Sequence, residues 1–150
     1  MDAREYFETV RAAQRGIDRR LAVIESMRAR EQVRAQRYDA MGKGAHVTDF
    51  MRSTDDRMDY ERRSGAELSE LRHEVELGRE LCAGVRSANP GKRWGDVLEL
   101  RYCEDRTLQE IAGTLGVSVR SVHSDMSSAL DWVDMVGIAT ARAGVGRAAI

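Results

Sequence analysis

From residue 3 to about residue 38, apolar side chains recur at alternating four- and three-residue steps: Ala3, Phe7, Val10, Ile17, Leu21 and Ile24. That rhythm predicts a helix burying one narrow a/d seam. Gln14 takes one seam position, where a polar residue fixes register at some cost in stability. Beyond Met27 the seam fades and Arg28, Arg30, Arg34 and Arg37 gather. They read first as a solvated helix end and alternatively as a patch for phosphates. Gly42 and Gly44 then act as stop signals. A second helix is expected to start at Ser53 or Thr54 as N-cap, with Asp55 and Asp56 in its first turn. Its stripe is broad, with Met58, Leu68, Leu71, Val75, Leu77, Leu81, Cys82 and Val85, and it spans on the order of 45 Å over about 30 residues. Together the two segments predict a long antiparallel, coiled-coil-like helical hairpin over residues 1–88.

Two helices alone leave part of such a stripe facing water. The expected remedy is self-association, a homodimer formed through the hairpin. The competing remedy folds the hairpin back onto the segment that follows. Asn89-Pro90-Gly91 marks the joint, because proline forces its predecessor out of the helical region.

Residues 91–136 change character. Trp94, Val97 and Leu98 have helical spacing and predict a short helix. Thr107 with Glu110 three residues later forms a capping-box signature ahead of Leu108, Ile111, Ala112 and Leu115. Gly116 suits a left-handed turn, Ser118 caps again, and Val122, Met126, Ala129, Leu130 and Val133 form the next buried face. Small Ala112, turn Gly116 and plugging Val122 are the constraints of a helix-turn-helix. Its second helix would present Val119, Arg120, Ser121, His123 and Ser124 outward to a DNA major groove. Thr107 and Ser118, with Arg106 beside them, would aim helix N-termini at phosphates. For His123 the plainer reading is an exposed helix histidine rather than a base contact. The final stretch, 137–150, is Gly/Ala-rich without a strong period and is expected to be a flexible tail.

Composition sharpens this all-α picture. Aromatic residues make up only 5% of the 150 residues, charged residues 33%, and there is one proline, which suits exposed helices. The net charge of −1 supplies no global attraction for nucleic acid, so any basic surface has to be local. Across residues 88–136 five bases face eight acids, the wrong sign for strong phosphate attraction. Few phosphate contacts mean weak binding per module, a second reason to expect two linked modules. Cys82 and Cys103 match no metal spacing and read as buried thiols in a reducing cytoplasm. No membrane span or signal peptide is discernible. Nothing forms a catalytic constellation or a metal or cofactor site, so an enzyme is not expected.

The stretch "DVLELRYCEDRTLQEIAGTLGVSVRSVHSDMSSAL" resembles region 4 of sigma-70-type RNA polymerase sigma factors, over roughly residues 96 to 134. The likeness lies in "LELRY", "TLQEIAGTLGVS" and the "AL" late in the second helix. The whole layout resembles small phage and prophage proteins, some of them similar to late-gene transcriptional regulators; Thr54, Asp56 and Met58 are compared with a motif of that group. The resemblance implies double-stranded DNA as partner, through an upstream promoter element, and contact with RNA polymerase. No region 2 likeness is present, so promoter melting is not implied. Where sigma recognition helices usually carry several basic residues, this one has Arg120 and His123, followed by Asp125, Asp131 and Asp134.

The expected function is that of a sequence-specific DNA-binding transcriptional regulator. Two alternatives stand beside it: a DNA-packaging recognition subunit like small phage terminase subunits, and a polymerase-binding adaptor that never reads DNA.

Overall fold

The computed structural model describes the backbone of residues 1–41 and 46–144, with side chains outside 38–50. The expected stop at Gly42 and Gly44 and the last six residues of the tail lie outside the described residues. The described chain is helical throughout, with no strand: α1 (Ala3–Met41), α2 (His46–Ala88), α3 (Trp94–Leu98) running into a wide π-helical turn (Glu99–Cys103), α4 (Leu108–Leu115), α5 (Val119–Val136) and α6 (Ile138–Ala143).

Asp2 and Glu5 start α1. The Glu5 amide donates to Asp2 Oδ1 at 2.7 Å and the Asp2 amide donates to Glu5 Oε2 at 3.0 Å, a reciprocal cap. α2 starts earlier than its sequence suggests. Ser53 and Thr54, the expected N-caps, lie inside the helix, half-buried. A capping signature is a local preference, and the residues before it continue the helix without a breaker.

The chain divides into two units, Met1–Arg15 with Arg72–Ile150, and Gly16–Leu71. In the second of these, α1 and α2 run antiparallel, as their ion pairs record. Arg20 meets Glu67 at 2.7 Å, Arg28 meets Glu61 at 2.9 Å, and Arg57 meets Glu31 at 2.8 Å. Ile17, Ile24 and Leu68 are buried between them with Ser64. Leu21, expected on the seam, and Met58, expected in the stripe of the second helix, are instead 42% and 49% exposed, and Val33 and Met51 are exposed as well. Two helices shield only the line along which they touch, and side chains flanking that line stay wet.

The other unit holds the deeper core. Phe7 stacks on Tyr102 with ring centroids 5.1 Å apart. Val10 lies on Gly78, where an added Cβ would sit 2.7 Å from a Val10 methyl. Leu81, Cys82, Val85, Val97, Leu98, Ile111, Val122 and Val133 are fully buried around this contact. The Glu104 amide donates to the Glu99 carbonyl, five residues back, and this widened turn accompanies the burial of Tyr102 and Cys103. Of the two remedies weighed for the hairpin, folding back operates for its open ends, residues 1–15 and 72–88.

The expectation of a flexible end fails for residues 137–144. Ile138–Ala143 is a helical turn and a half with Ala141 fully buried. It docks because residue 84 is glycine: a Cβ there would lie on the Ala141 carbonyl oxygen and 2.6 Å from that of Arg142. Arg142 also donates to the Tyr6 hydroxyl at 2.7 Å.

Candidate nucleic-acid interface

α4 and α5 meet across a turn whose geometry follows from three local residues. The Glu110 amide donates to Thr107 Oγ1 and the Thr107 amide to Glu110 Oε2, completing the capping box that starts α4. Gly116 ends α4 at φ 68°, ψ 34°, a left-handed conformation that costs glycine little. Ser118 then accepts the Ser121 amide at 3.1 Å and starts α5. Ala112 is buried at the crossing and Val122 is completely enclosed in the angle. The opposite side of α5 is bare: Val119, Arg120, His123 and Ser124 are exposed, and Ser121 is half-buried. Ser121 is partly committed, because Ser118 Oγ donates to its hydroxyl at 2.9 Å. Arg106 and Thr107 are exposed at the start of α4, on a different element from the other six candidates. Arg120 makes no ion pair among the described residues.

The acid excess takes on a different meaning here. Asp96 and Glu99 are held by Arg86 of α2, and Glu99 also by Arg79 at 3.1 Å. Asp105 accepts Arg11 Nε at 2.6 Å and Arg15 Nε at 2.9 Å, both from α1. Asp134 accepts the Ala3 amide at 2.7 Å and so helps cap α1. Asp125, just past the candidate face, is bound by Arg93 at 2.8 Å. Five of the eight carboxylates therefore act within the fold, and Glu110 caps α4. Burial raises the Asp105 pKa, but Arg15 and Arg11 outweigh it and hold the carboxyl below its ordinary range. Asp105 adopts φ 53°, a left-handed conformation that aspartate tolerates better than most residues.

Sequence reasoning missed Arg93, whose partner lies 32 residues away with no pattern linking them. It also missed Ser127 and Ser128, which follow Ser124 and Arg120 at helical spacing and are half-buried and exposed. That signal was available in the period of α5.

Fold and site define a helix-turn-helix of the type in which one helix supports and the next is presented to a ligand. Residues 93–132 match the family model Sigma-70, region 4, so this stretch is a region 4 helix-turn-helix module. The match covers the C-terminal module and not α1 or α2. Neither a curated protein nor a solved structure matches the chain. No helix among the described residues is long and apolar enough to cross a membrane.

Proposed function

We propose that the protein is a sequence-specific DNA-binding transcriptional regulator that lays the N-terminal half of α5 in the major groove. The observation that carries this reading is the bare face of α5 from Ser118 to Ser124, with the adjacent Asp125 drawn onto Arg93. In that placement Arg120 reaches a guanine edge and the 41% exposed Val119 packs against a thymine methyl. Ser124 contacts a base or a phosphate, and the first amides of α4 and α5, with Arg106, face phosphates. Exposed Leu21, Met51 and Met58 give the hairpin apolar surface for a second copy, so that two modules bind one site together.

Selection of bound duplexes from a random pool, with stoichiometry measured on the winner, tests this. A preferred site occupied by two chains is the expected result. On that site Arg120→Gln should weaken binding by about 1–3 kcal/mol and relax preference at one base pair, with helicity unchanged. A pool that stays random, or an unaltered preference in the variant, contradicts the proposal.

A further inference from the structure

The arginines late in α1 divide into two kinds. Arg28 is tied to Glu61, and Glu31, the one carboxylate between Ser26 and Arg37, is turned onto Arg57 and only 14% exposed. Arg30, Arg34 and Arg37 are exposed and have no ion pair among the described residues. They line one open hollow with Ser26, Ala29 and Val33. Their four- and three-residue spacing puts them on one helix face, where like charges repel and weaken the helix. A helix end that needed only solvation would gain from a carboxylate there, and among the described residues this face has none.

We infer that Arg30, Arg34 and Arg37 form a second DNA-contacting surface, one that takes the phosphate backbone of a duplex and reads no sequence. The three guanidiniums spread over about 10 Å of helix, a length along which several phosphates of one strand lie, at about 3.4 Å of duplex axis each. Small Ser26 and Ala29 beside them leave the backbone room to approach. The surface adds to the few cations of the region 4 module, where five bases face eight acids and Arg93 is taken up by Asp125. The inference rests on the DNA-binding reading above and adds where the non-specific affinity comes from.

The test compares the full chain with R30Q/R34Q/R37Q and with a control, R62Q/R63Q, that removes exposed charge elsewhere on α2. Glutamine keeps a helix propensity close to that of arginine, so circular dichroism should not change. The probe is a duplex of arbitrary sequence titrated at several salt concentrations. The triple variant should flatten the dependence of log affinity on log salt by between about 1 and 3, at about 0.9 per phosphate released. The control should keep the parent slope, and the triple variant should keep the base preference of the selected site. A parent-like slope in the triple variant, or an equal loss in the control, overturns the inference and leaves the α5 reading standing. A parent chain that binds no duplex at any salt overturns both.

Discussion

The two units of this protein have nearly the same charge balance and use it in opposite ways. Residues 1–15 and 72–150 carry thirteen bases against fourteen acids; residues 16–71 carry eleven of each. In the first unit, arginines from α1 and α2 reach into the C-terminal module and bind its carboxylates, next to a core of Phe7, Tyr102 and Leu98. In the second, Arg20, Arg28 and Arg57 lace two helices together along a thin seam, and a further set of arginines faces outward. The lesson is that counting charges in a window of sequence says little about a surface. An acid excess of three across residues 88–136 repels phosphate only if those carboxylates face the partner, and here most are held inside the unit.

The contrast predicts a graded set of stabilities. The largest effect should follow Phe7→Ala, which removes a fully buried ring from Tyr102. A loss of about 3–5 kcal/mol in denaturant unfolding is expected, even though residue 7 lies 86 residues before the first residue matched to region 4. An effect below 1 kcal/mol would mean that α1 is not part of the module's core. Next comes Gly84→Ala, which sets a methyl against the backbone of α6 and should cost about 1–3 kcal/mol, with increased hydrogen exchange at residues 138–143.

Smaller still is Asp105→Asn, which keeps a residue tolerant of the left-handed conformation and removes the charge. Solvent screens this partly exposed cluster, so a loss of about 1 kcal/mol at neutral pH is expected. The folded pKa of Asp105 is lowered, so its contribution is complete above its unfolded value of 3.8 and drains away as pH falls through the folded value. The variant should therefore lose stability less steeply than the parent below about pH 4. If both acid limbs have the same slope, Asp105 is not the clamp described. In the hairpin unit, Arg20→Gln should change stability by less than about 0.5 kcal/mol, because Glu67 is mostly exposed.

How legible each feature was depended on the distance over which its cause acts. Ala112, Gly116, Val122, the Thr107–Glu110 box and the Ser118 cap all act within one or two turns, and the structure forms each of them where the spacing placed it. The antiparallel pairing of α1 and α2 was legible from periodicity. Leu21 and Met58 were misplaced because period alone does not say how wide a face a neighbour covers. The clamp of Arg11 on Asp105 joins residues 94 positions apart, and no local pattern announces it. The docking of α6 had one faint signal, a glycine at 84 in the middle of a long helix, where the intrinsic cost of glycine implies a close approach. At the candidate interface the outward residues of α5 could be read from the sequence, but the company of Asp125 could not.

Amide hydrogen exchange of the parent chain, with and without the selected duplex, tests the proposed groove contact most directly. Protection should appear across residues 118–124 and at the start of α4, most strongly at the first-turn amides, which lack partners along the helix in the free protein. A duplex that binds tightly yet leaves residues 118–124 exchanging as before would contradict α5 as the reading helix.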